Sequence, residues 1–171
     1  MDKGMMEKKL ITEEEIIELL GLVPLEGEGG LVAETWRSKV MTQDGETAGT
    51  SIFYFLRGQA FSHLHRLTGD EMYHFYLGDA VEMLELLPGG GVKKTVLGSD
   101  ILHGEKLQHL VPAGNWQGSR LSAGGRWALL GTTMCPGYSQ AGYEHGDADA
   151  LIEAWPSEEA NIRQLTGRAL Y

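Results

Sequence analysis

From residue 50 to residue 134 the chain alternates apolar and polar positions in short runs, each ended by glycine or proline, which is the period-two pattern of β-strands. Strands are predicted over 50–56, over two runs within 58–78, and over 80–87, 92–97, 107–111, 116–121 and 126–134, with one more upstream at 31–36. The polar turn at 68–70 predicts a hairpin within 58–78, and the turn at 122–125 predicts pairing of 116–121 with 126–134. Turns are also expected at 88–91 and 112–114. Outside this region the period changes. Residues 12–20, TEEEIIELL, form a helix pattern, with Thr12 and Glu15 as a capping box and Gly21 as its stop. A helix is predicted over 147–155, stopped by Pro156, and a second helical stretch runs from 157 to 165. Residues 1–9 are polar and expected to fray, 22–30 reads as a loop, and 41–49 as polar turns. Neither an internal repeat nor a linker interrupts the chain, so a single domain with a core over about 31–138 is expected.

Short strands separated by tight turns suggest an all-β jelly roll of roughly ten strands, with its ligand pocket in the barrel mouth. The 171 residues and 24 glycines suit that architecture. The net charge of -10 makes nucleic acid an unlikely partner, since phosphate backbones repel it. Membrane association is not expected: no apolar run approaches the ~20 residues that span a bilayer, and no signal-peptide core is present. Cys135 is the single cysteine, which leaves no intrachain disulfide and fits a cytoplasmic protein.

The candidate chemistry lies in GQAFSHLHRLTGDEMYHFYLG, residues 58–78. His63 and His65 are two apart on a strand, so strict alternation puts both imidazoles on one face. Glu71 opens the next strand and would stand near them across the expected hairpin. Two histidines and a carboxylate can hold a divalent metal or move protons. Tyr73 and Phe75 share the parity of Glu71, whereas His74 faces the other way, and Arg66 lies opposite His65. His103, His109 and His145 have no partner pattern and read as surface residues.

The same run resembles the first cupin motif, a glycine, His-x-His, a glutamate, and a glycine after six residues. Pro112-Ala113-Gly114-Asn115-Trp116-Gln117 resembles the second, with Gln117 where a histidine usually stands. The order of the blocks LGLVPLEGEGGLVAETWRS, SIFYFL, HRLTGDEMYHFYLG, LQHLVPAGNWQGSRL, LLGTTMCPGY and LIEAWP is similar to one cupin family, short bacterial and fungal proteins described as predicted sugar epimerases. Glu26-Gly27 replaces that family's usual His-Pro. The resemblance implies a double-stranded β-helix cupin barrel with a short N-terminal helix and C-terminal helices outside it. It implies a small polar metabolite as ligand, with a nucleotide-sugar epimerase or isomerase as the leading function. There His65 is the proton-transfer base, Glu71 orients it, and Tyr73 returns a proton. His63, Gln108, Gln117 and Tyr138 are expected to contact ligand, Tyr138 being an alternative acid. Two further readings stand beside it. One is a metal-dependent oxygenase or isomerase holding zinc, iron, manganese or nickel with His63, His65 and Glu71. The other is a non-catalytic small-molecule-binding cupin. A homodimer is expected, with 31–36 as its edge or exchanged strand.

Overall fold

A computed structural model describes residues 11–171, so the fraying expected for residues 1–9 lies outside the described residues. Helix α1 spans Glu13–Leu20. Thr12 Oγ1 accepts from the Glu15 N–H at 3.2 Å, and Glu15 Oε2 accepts from the Thr12 N–H at 3.0 Å, so the capping box forms. The strands are β1 Val23–Pro24, β2 Leu31–Arg37, β3 Thr50–Arg57, β4 Phe61–Leu67, β5 Glu71–Gly78, β6 Val81–Leu86, β7 Val92–Leu97, β8 Gln108–Val111, β9 Trp116–Leu121, β10 Trp127–Met134 and β11 Tyr143–His145. Helices α2 Ala148–Ala154 and α3 Glu159–Gln164 close the chain, α2 being capped by Asp147.

Two antiparallel sheets face each other, in the orders β1-β2-β3-β10-β5-β8 and β11-β4-β9-β6-β7. Their inner faces share a core that includes Tyr54, Leu56, Tyr73, Phe75, Met83 and Leu130. Burying a side chain such as Leu130 is worth about 1.5–3 kcal/mol. Ile16 and Leu22 of the α1 region cover the outer face of the larger sheet at Leu31, Phe55 and Leu129. Leu151, Ile162 and Leu165 cover the outer face of the smaller one at Phe61, Leu64, Leu84 and Leu86. This is the jelly-roll barrel expected, with its helices outside.

The pairing differs from the expected hairpins. β4 and β5 do not pair with each other, because the 68–70 turn carries the chain from the smaller sheet to the larger. β9 lies between β4 and β6, and β10 between β3 and β5, so the 122–125 turn also crosses between the sheets. A polar turn between alternating strands permits either outcome, and both crossings bury an apolar face on each side of the interior. β11 is a three-residue strand without a detectable alternation and was not predicted. β2, the expected edge strand, pairs with β3 on one side and with the two-residue β1 on the other.

Candidate functional site

Between the inner walls lies a cavity of about 230 Å³, to whose lining the 22–30 loop and the 138–143 segment contribute. His65 of β4 lies on one wall, and Glu71 and Tyr73 of β5 lie on the other. Glu28, Glu34, Tyr138 and Tyr143 also line it.

The register of β4 explains which histidine reaches the cavity. Ser62 pairs with Ser119, and His65 pairs with Gln117. Three steps on β4 therefore match two on β9, which is a β-bulge. Directly opposed residues share a face, so Ser62 and His65 point inward with Ser119 and Gln117. The bulge takes His63 out of that alternation. Its ring stacks on His145, with centroids 3.6 Å apart, and its Nδ1–H donates to Leu64 O at 2.9 Å. Burial lowers the pKa of His63, against the backbone of Leu64 and Thr166, which favour the charged ring. His63 is thus absent from the lining of the cavity it was expected to share with His65.

His65 is buried, and its Nδ1 lies 2.7 Å from the carbonyl oxygen of His63. A carbonyl only accepts, so Nδ1 carries the hydrogen and Nε2 is the lone-pair nitrogen of the neutral ring. Glu28 Oε1 is 3.9 Å from the same Nδ1 and accepts from Ser62 Oγ at 2.8 Å. The tautomer that Glu71 was expected to set is therefore set by a backbone carbonyl, and Glu28 is the carboxylate beside the ring. Tyr143 stacks on His65, with centroids 5.1 Å apart.

Sequence reasoning missed Glu28 and Tyr143. The available signal for Glu28 was the glycine pair that follows it. Gly29 and Gly30 have φ of 97° and 70°, and a Cβ on Gly30 would meet Tyr54 Oη at 2.8 Å. That close approach lets Gly29 O accept from the Tyr54 hydroxyl at 2.9 Å, and it seats Glu28 over β4.

Glu71 is buried, and its Oε2 accepts from Gln117 Nε2 at 2.7 Å. Burial pushes its pKa up, against His65, Thr132 and Gln117, which favour the charged form. Tyr73 and Tyr54 are raised well above the usual phenol value, first by burial and then by the neighbouring carboxylates. Tyr138 and Tyr143 are raised by burial and by Glu28. All these phenols keep their protons at neutral pH.

Tyr138 lies in the cavity wall, as expected, with its hydroxyl donating to Gln140 Oε1 at 3.0 Å. Gln117 sits behind Glu71, outside the lining residues. Gln108 is exposed on the outer face, with its amide donating to His74 Nδ1 at 3.0 Å. His109, read as a surface residue, is instead turned inward against the buried Glu85 at 2.5 Å.

The donor set does not fit a cupin metal. Among the described residues no three His, Cys, Asp or Glu side chains come together to hold an ion. His63 is engaged away from the cavity, and Gln117 turns its amide nitrogen toward Glu71, leaving Oε1 buried without a partner. The arrangement that remains is one imidazole base, two nearby carboxyl groups and several protonated phenols around a confined space, which suits proton transfer.

The sequence model of a family described as Cupin superfamily (DUF985) matches residues 14–146. The crystal structure of a Shewanella oneidensis protein is similar with a TM-score of 0.86 and 31% identity, covering 94% of this chain and 99% of that one. A hypothetical protein from Leishmania major is similar with a TM-score of 0.84 and 29% identity, covering 92% of this chain and 100% of that one. Oxalate decarboxylase from Bacillus subtilis shares the fold at a TM-score of 0.53 and 16% identity, covering 85% of this chain and 37% of that one. No curated protein matches the chain.

Proposed function

Starting from a chain that belongs to the Cupin superfamily family DUF985, we propose that it is an isomerase-type enzyme that moves a proton on a carbon next to the carbonyl of a small polar metabolite. The observation that carries this reading is the tautomer of His65, whose Nδ1–H is held by the His63 carbonyl while the ring lines the cavity. In this tautomer Nε2 is left as the lone-pair nitrogen, the position from which an imidazole takes a proton from carbon. Glu28, close to Nδ1, stabilises the imidazolium that forms, by its charge. Tyr73, on the opposite wall and kept protonated, is the group that returns a proton to the other face of the carbon. Net transfer leaves His65 protonated and Tyr73 ionised, and solvent resets both.

Incubation in deuterated water with a panel of carbonyl sugars tests the reading. Deuterium is expected to enter the substrate at the carbon beside the carbonyl, and His65→Asn is expected to reduce the rate by at least about 100-fold. Circular dichroism and ligand binding of the variant should match the parent. Full exchange by His65→Asn would move the base elsewhere, with Tyr73 and Tyr138 next to be tested.

A further inference from the structure

The cavity wall carries three carboxyl groups, Glu28, Glu34 and Glu71, and no lysine or arginine is among its lining residues. A dianionic phosphate offers only acceptor oxygens, and a carboxylate is likewise an acceptor, so the two cannot satisfy each other. Phosphate and pyrophosphate sites need N–H donors and positive charge.

The cationic groups near this site are already committed. Arg37, at the rim, gives Nε and Nη2 to the two oxygens of Glu34 at 3.0 and 2.7 Å, and Nη1 to Tyr138 O at 3.2 Å. Its bidentate Nε–Nη2 edge is thereby occupied by Glu34. Arg66 is turned outward, bonded to Glu144 at 2.7 Å and lying over Trp116.

Size points the same way. About 230 Å³ is below the ~300–1,000 Å³ of pockets that enclose drug-sized ligands, so the nucleoside diphosphate part of a nucleotide sugar would have to lie outside the cavity. What the wall does match is a compact molecule rich in hydroxyl donors, since carboxylates accept from hydroxyls. Tyr73 and Tyr143 add aromatic surface for its C–H faces.

We propose that the cavity takes an uncharged, polyhydroxylated carbonyl compound of monosaccharide size and rejects its phosphorylated and nucleotide-linked forms. The carbonyl in this description rests on the proton-transfer reading above; the charge selectivity does not. The nucleotide-sugar substrate implied by the sequence resemblance is thereby set aside in favour of a free sugar.

Isothermal titration of the full chain tests this with free aldohexoses, ketohexoses and pentoses, their terminal phosphates, and UDP-glucose. At least one free sugar is expected to bind saturably, and its phosphate to bind at least about tenfold more weakly, because like charges are brought together. Glu34→Gln removes one carboxylate and releases the Arg37 guanidinium that it holds, so it is expected to strengthen sugar-phosphate binding relative to free-sugar binding and to narrow the ratio between them. A phosphate or UDP-glucose that binds the parent protein as tightly as the free sugar overturns the proposal. So does the failure of every free sugar to bind. Binding of a free sugar without deuterium exchange would defeat the proton-transfer reading and leave this one standing. Exchange into a sugar phosphate would do the reverse.

Discussion

Glu71 is a carboxyl group that burial has made reluctant to ionise, and the consequence can be measured as stability. Its pKa is raised in the folded state, so the native protein holds that proton at a pH where the unfolded chain has released it. Stability from this group is therefore lost as pH rises from the ordinary carboxylate range through the folded value. Glu71→Gln removes the titration. Urea denaturation of the two proteins across mildly acidic to neutral pH is expected to show the variant gaining on the parent as pH rises, and a constant difference would count against this account. Gln117 gives a second test. It pairs in register with His65 and hydrogen-bonds Glu71, so an imidazole at this position would join both. Gln117→His is expected to tighten zinc binding by at least about tenfold in a competition titration, since imidazole is the better ligand. Of the residues that line the cavity, His65, Glu71, Tyr73 and Tyr138 were expected there from the sequence. His63 was misassigned because one extra residue in β4 inverts its side, and single-strand alternation carries no trace of such a bulge.

Most of the strands were legible because alternation reports a buried face directly, whereas the short β11 and β1, the latter inside the expected 22–30 loop, were not. Strand partners were not legible either, because a polar turn looks the same whether it folds a strand back or passes it to the other sheet. The open edges of the barrel show what such a crossing requires. β7 ends the smaller sheet and β8 ends the larger, and an isolated backbone bridge, Leu97 with Lys106, links the end of β7 to the segment before β8. Side chains add to it. Glu85 of β6 accepts from His109 of β8 at 2.5 Å and from Asn115 Nδ2 at 3.1 Å, and Lys93 of β7 lies 3.4 Å from it. Burial alone would raise the pKa of Glu85, but the hydrogen bonds from His109 and Asn115 and the charges of His109 and Lys93 outweigh it and hold the group below the usual range. Its stabilising effect is thus fully present above the ordinary carboxylate pKa and lost as pH falls through the depressed one. His109→Ala is expected to cost about 3 kcal/mol at neutral pH, because it leaves a buried charge short of a partner. Chemical denaturation checks this, and a cost within ~0.5 kcal/mol of zero would show that the edges hold without the cluster.

Over the whole molecule, the net charge of -10 has the sign of an ionised carboxylate in the cavity wall, so the surface opposes the approach of an anionic ligand. Affinity for an uncharged sugar is expected to be indifferent to ionic strength. Any residual affinity for a sugar phosphate is expected to rise when salt is increased from low levels to about 0.1 M, where the screening length falls to about 10 Å. Titrations at the two salt concentrations read the difference. The crossing at 68–70 has one more consequence. His65 and Glu71 are near neighbours in sequence, yet each is held by a different sheet, and each sheet is stitched from strands drawn from distant parts of the chain. Neither sheet alone makes the site. During folding the chain must close many long loops before base and acid face one another, which places this barrel among slowly folding topologies. Binding competence is then a property of the finished molecule, and a partly folded chain with one complete sheet has structure but no pocket.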